Sequence, residues 1–142
     1  MGNLICWESY MPLVRTALYQ KGVALYISPN TNDNPEWQDT IRHIAIEGKC
    51  FFINTDMVIR KRDYPADLKG HDEIEKLPEI PCRGGSCVID PYGHAVTDVV
   101  WDKEEIIYAD LDMQKVPAGR MEFDPCEHYN RPDAVELIVR EK

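Results

Sequence analysis

The sequence predicts an α/β layered fold, on three observations. Apolar strand-like runs alternate with amphipathic helices through the first 59 residues, the connections between them are short, and no repeat or second-domain linker interrupts the 142 residues. A chain of this length is one domain or part of one, and 44% hydrophobic residues can supply its core.

Leu4-Ile5 run into Cys6-Trp7-Glu8 with no turn or cap before them, so the chain is expected to open inside a strand. Ser9 is placed to cap a helix with Pro12 in its first turn; Val14, Ala17 and Leu18 recur at helical spacing, and Gly22 stops it. Residues 23–27 read as a short buried strand ended by Ser28-Pro29 and a polar run over 30–34. A second helix follows, with Asn34 as cap, Pro35 in its first turn, an apolar stripe through Trp37, Ile41, Ile44 and Ala45, and a stop at Gly48. Residues 50–59 are rich in Phe, Ile and Val and read as one buried strand.

Between 60 and 83 charge, Pro and Gly erase the periodicity, which predicts a long surface loop. Residues 86–89 and 95–101 flank Asp90-Pro91-Tyr92-Gly93 as a hairpin, and 106–111 reads as a third strand of a meander. Weak helical character over 112–122 and a last strand over 134–139 complete the prediction.

Composition excludes several functions. Sixteen Lys and Arg against 25 Asp and Glu give a formal charge of -9, a poor match to nucleic acid or an anionic membrane. No apolar run approaches the ~20 residues of a membrane span, and the start lacks a signal-peptide layout, so a soluble cytoplasmic protein is expected. Five cysteines, an odd number, favour free thiols over a disulfide framework. Cys82 and Cys87 have no second ligand pair at zinc-type spacing, so neither metal nor cofactor is expected.

Cys6 is the candidate nucleophile. A cysteine where a buried strand gives way to a helix presents its sulfur to a cleft, and a helix N-terminus beside it favours thiolate and offers N–H groups to an oxyanion. The plainer role for such a residue is that of a small, inert, buried hydrophobe.

The segment Leu4 to Leu13, with Arg15 and Ala17-Leu18-Tyr19, resembles the nucleophile segment of the nitrilase branch of the carbon–nitrogen hydrolase superfamily. Tyr26-Ile27-Ser28-Pro29, the run from Arg42 to Gly48, Cys50-Phe51-Phe52-Ile53, Gly84-Gly85-Ser86, Ile89 to Gly93 and His128 to Asp133 resemble its later segments, most like those of fungal members. Trp7 directly after the cysteine points to nitriles or cyanide rather than amides.

The resemblance implies the C-terminal half of a four-layer α-β-β-α sandwich, residues 1–142 forming a partial domain that begins at the nucleophile strand. It also implies a catalytic Glu, Lys and Cys, of which only Cys6 falls within this chain. Beside Cys6, the backbone N–H of Trp7 is the expected oxyanion donor, while Glu8 and Pro29 belong to site architecture. His43 and His128 are read as polar packing residues rather than bases, and Trp37 as core rather than pocket wall; Tyr64 and Trp101 are candidates for substrate contact.

Two functions compete. One is nitrile hydrolysis that needs the absent N-terminal half; the other is a non-catalytic remnant that serves as a binding or assembly module. A homo-oligomer, or association with the missing half, is expected through residues 11–22 and 124–142. Aromatic nitrile, aliphatic nitrile and cyanide all stay open as substrates, as does acid against amide product.

Overall fold

The computed structural model describes residues 1–32 and 34–140, so Asp33 in the polar run and the last two residues of the tail lie outside the described residues. Its centre is a parallel trio. Strand β1 (Gly2–Asn3) pairs with β2 (Leu25–Asn30), and β2 pairs with β3 (Phe51–Asp56) in the register Leu25 to Phe51 through Asn30 to Asp56. Helices α1 (Pro12–Gln20) and α2 (Trp37–Gly48) make the two crossovers, as parallel strands require. Strand β5 (Cys82–Ile89) adds antiparallel to β3, and its first half pairs with β4 (Val58–Ile59) and β6 (Val100–Trp101), giving a six-stranded sheet.

Side-chain alternation divides the apolar residues between the two sheet faces. Tyr26, Phe52, Cys87 and Ile89 point toward the helices and bury against Trp37, Ile41, Ile44 and Ala45. On the other face Phe51 and Val88 bury against Val116 of α4 (Lys115–Glu122), with Leu25, Ile53 and Leu111 packed around them. The two helices approach closely because Gly48 has no side chain: a Cβ there would overlap the Tyr19 ring.

The structure corrects several expectations. Ser9 does not cap α1; it lies inside a 3₁₀ turn over Cys6–Tyr10, and α1 starts two residues later, after the extended Met11. Pro29 does not end β2, which runs on to Asn30, since its missing N–H is tolerated near a strand end. Asn34 does not cap α2, whose N-cap is Glu36; its side chain accepts from the Glu36 N–H at 3.0 Å in the turn before the helix. The expected strand over 50–59 is two strands broken at Met57.

The 60–83 segment holds a 3₁₀ turn (Lys61–Asp63) and the short helix α3 (His71–Ile74), and its last two residues already belong to β5. The hairpin around 90–93 forms, closed by Gly93 N–H to Asp90 O at 2.9 Å, but its second strand is regular only at Val100–Trp101. Residues 106–111 and 134–139 are not strands: neither run pairs with a strand among the described residues, and most of their side chains face solvent. No helix among the described residues is long and apolar enough to cross a membrane.

Candidate active site

Topology decides where chemistry can occur. The carboxyl ends of the three parallel strands lie side by side, and in such sheets the crevice beyond those ends is where ligands bind. Cys6 follows β1, Asn30 and Thr31 end β2, and Thr55 and Asp56 end β3. Together with Ile5, Pro29 and Met57 these residues line an open groove of ≈ 390 Å³.

Cys6 has φ 47°, a left-handed conformation that costs a side-chain-bearing residue roughly 1–2 kcal/mol. It begins the 3₁₀ turn, which the Glu8 N–H closes on the Ile5 carbonyl at 3.0 Å while the Ile5 N–H donates to the Glu8 carboxylate at 2.8 Å. Glu8 therefore holds the turn that carries the thiol. Trp7 projects outward, 71% exposed. A helix N-terminus at the thiol is not what forms here, because Pro12 sets the start of α1 six positions on.

A buried polar chain anchors this turn to the core. The Ser9 carbonyl accepts from Arg15 Nη1 at 2.8 Å, and Arg15 in turn grips Glu47 of α2 through Nε at 2.9 Å and Nη2 at 3.3 Å. Tyr19 donates to the same carboxylate at 2.9 Å, and Tyr26 donates to Ser9 Oγ at 3.1 Å. Burial pushes the Tyr26 hydroxyl up to about 12 and raises Tyr19 as well, so both act as neutral donors. Ser9 also meets Ser28 Oγ at 3.2 Å, which links the turn to β2.

The chain continues across the strand ends. Asn30 Nδ2 donates to the Ser28 carbonyl at 2.8 Å and to Asn54 Oδ1 at 2.7 Å, and Trp37 Nε1 donates to that same oxygen at 3.0 Å. Asn54 Nδ2 donates to Asp56 Oδ2 at 3.1 Å and to the Gly85 carbonyl at 2.9 Å. Gly85 itself has φ 120°, and a Cβ on it would strike the Trp101 ring and Gln38. Ser9, Ser28, Asn30, Asn54 and Asp56 carry no sequence signal as a group, since each is a polar residue in or beside a strand. Only the period of two in Ser28, Asn30 and Asn54, Asp56 hints that they share a face.

Of the residues singled out from sequence, the groove brings together Cys6 and Pro29, with Glu8 holding the turn beneath. Trp37 is 1% exposed and belongs to the core. His43 faces solvent, 3.9 Å from Glu47, and His128 stacks edge-on with Tyr129. Neither they nor Tyr64 and Trp101 line the groove. None of the five cysteines forms a disulfide among the described residues; burial pushes the thiols of Cys50 and Cys87 up to about 12, which makes them inert at neutral pH. Among the described residues no group of three or more His, Cys, Asp or Glu converges to hold a metal.

The chain is similar to known proteins over its whole length. An aliphatic nitrilase of Sinorhizobium fredii is 41% identical over 142 residues, covering 100% of this chain and 46% of the relative. Nitrilase 2 of Arabidopsis thaliana is 41% identical over 145 residues, covering 99% of this chain and 43% of its own length. The chain thus spans less than half the length of these relatives.

Among solved structures, a carbon-nitrogen hydrolase from Helicobacter pylori superposes with a TM-score of 0.71 at 26% identity, over 93% of this chain and 46% of that one. The NitFhit protein of C. elegans, at 20% identity, shares the fold with a TM-score of 0.72 over 96% of this chain and 30% of its own. This chain therefore holds part of that mixed α/β fold. The sequence pattern of the carbon-nitrogen hydrolases matches residues 1–121, and the chain belongs to that family.

Proposed function

We propose that this chain carries the nucleophile of a nitrile-hydrolysing enzyme, with Cys6 attacking the nitrile carbon. The observation that carries this is the placement of Cys6, at φ 47° on a turn braced by Glu8 and Ser9 and facing the groove at the carboxyl ends of three parallel strands. Its sulfur forms a bond to the carbon while the nitrogen takes a proton, giving a thioimidate. Water adds, ammonia leaves, and the remaining thioester is hydrolysed by a second water to the carboxylic acid and the free thiol.

In this mechanism the Trp7 N–H stabilises the developing negative charge beside the nucleophile, and Glu8 and Pro29 shape the site. Each proton transfer needs a positioned acid or base worth roughly 10²–10⁴ in rate. No lysine lines the groove, and its one carboxylate, Asp56, is already held by two donors. The general base and the cation come, on this proposal, from residues outside these 142, the chain being a partial domain that acts in the cytoplasm as an oligomer or against the rest of the domain.

An aliphatic nitrile is the substrate to test first, given what the Sinorhizobium fredii relative is called. Fused behind the part of that relative which this chain does not match, it is expected to release ammonia from such a nitrile, and Cys6→Ala abolishes the release. The 142 residues alone are expected to release none above the Cys6→Ala control. No Cys6-dependent product from the fusion would favour a non-catalytic binding or assembly module, which the lack of a lysine in the groove also supports. Amide instead of acid would make the activity a hydration.

A further inference from the structure

We propose that Asp56 is a charge-selecting wall of the Cys6 groove, repelling anionic molecules from the thiol and favouring a substrate that carries a protonated amine. The proposal deepens the nitrile-hydrolysing function above by naming a class of substrate, and it rests on that function for its biological meaning.

The hydrogen-bond pattern identifies the state of Asp56. Trp37 Nε1 can only donate, so the Asn54 atom facing it at 3.0 Å must be the oxygen. The Asn54 amide nitrogen is then left to donate to Asp56 Oδ2 at 3.1 Å, and the backbone N–H of Asn32 donates to Oδ1 at 3.0 Å. Both carboxylate oxygens accept from groups that cannot accept in return, which is the pattern of an anion. Burial of the side chain pushes its pKa above the ordinary carboxylate value, and those two donors oppose the rise without cancelling it.

The charge is also not neutralised by a neighbouring cation. Asp56 and Met57 are shared with an adjoining cavity of ≈ 220 Å³ that is lined by Lys103, Glu104 and Glu105. Lys103, the cation on that lining, pairs with Glu105, and Glu104 pairs with Arg60 at 3.2 Å. Asp56 is held by the neutral amides of Asn32 and Asn54, with no ion pair to it among the described residues. It lines the same groove as Cys6, with Ile5, Pro29, Thr55 and Met57, none of which ionises. A fixed charge across a part-solvated groove alters the local concentration of a monovalent ion by roughly threefold in each direction, or about tenfold between cation and anion.

The test uses the 142-residue protein and needs no turnover. Three methanethiosulfonates, neutral methyl, cationic trimethylammonioethyl and anionic sulfonatoethyl, each form a disulfide with the Cys6 thiolate and release methanesulfinate. Rates are read by mass spectrometry on the Cys6 peptide and divided by those of free cysteine. At low salt the cation-to-anion ratio is expected to be about tenfold above free cysteine. Asp56→Asn should bring the ratio close to that of free cysteine, and Asp56→Glu should keep it.

A ratio equal to that of free cysteine in the unaltered protein, or one that survives Asp56→Asn, overturns the proposal. Should Asp56→Asn fail to fold, salt decides in the unaltered protein: a charge effect collapses at about 1 M, and a ratio that persists there overturns it. Lack of reaction with the neutral reagent overturns it too, by denying that the groove gives access to Cys6. A fusion that turns over no nitrile while the ratio holds removes the enzymatic function and leaves the charged wall standing.

Discussion

The two faces of the sheet are finished to different degrees. Toward the helices, Tyr26, Phe52 and Cys87 are fully buried, and the polar residues further along, Ser28 and Asn54, are equally enclosed and hydrogen-bonded. On the opposite face Phe51 is buried beneath Val116, its strand neighbour Ile53 is half-buried, and Thr55 is exposed at the groove; Leu25, Ile27 and Pro29 repeat the gradient on β2. The helix face is a rigid scaffold throughout. The other face opens along the strands, and at their carboxyl ends residues of both faces, Pro29 and Thr55 with Asn30 and Asp56, line the groove that holds Cys6. A thiol on a backbone at φ 47° can persist there because the structure behind it is over-determined.

Truncating matched residues on the two faces is the strongest way to break this comparison. Phe52→Ala should cost about 3–5 kcal/mol, whereas Ile53→Ala, next to it on the open face, should cost roughly 1–2. Urea denaturation measures both, and equal losses would mean that the second face is as well packed as the first.

Next in size is the anchor of the Cys6 turn. Glu47→Ala leaves Arg15, which is mostly buried, without its carboxylate and should cost about 2–3 kcal/mol, while Thr55→Ser in the groove wall should stay within about 0.5 in the same assay.

The smallest effect concerns pH. Asp90 is buried, which works to raise its pKa, but bonds from Lys115, His94 N–H and Tyr92 N–H win and hold it below the ordinary carboxylate value. A depressed carboxylate contributes stability above its unfolded value, and that contribution disappears as pH falls through the folded one. Asp90→Asn should therefore be about 1 kcal/mol less stable at pH 7 and show a flatter decline in acid, read by thermal melts across pH. Asp56 has the opposite sign: its raised value gives stability at low pH that is lost as pH rises through it. An acid limb unchanged by Asp90→Asn would assign the decline to other carboxylates.

What could be read from the sequence was whatever depends on local order. Both helices and the parallel strands between them follow from periodicity and from Pro12, Gly22 and Gly48, and Cys6 stood out because a strand met a helix-forming run there. Runs of apolar residues without a partner deceived: 106–111 and 134–139 have strand composition, yet a strand exists only where another offers hydrogen bonds.

The tertiary structure alone decided that the thiol sits on a 3₁₀ turn, that Ser9 faces inward to Tyr26 and Ser28 instead of capping α1, and that Asp56, fifty positions from Cys6, shares its groove. Local spacing encodes the faces of helices and strands. Which strand ends lie together is settled only when the sheet assembles, because burial and hydrogen bonding between distant segments, rather than any single run of residues, set that order.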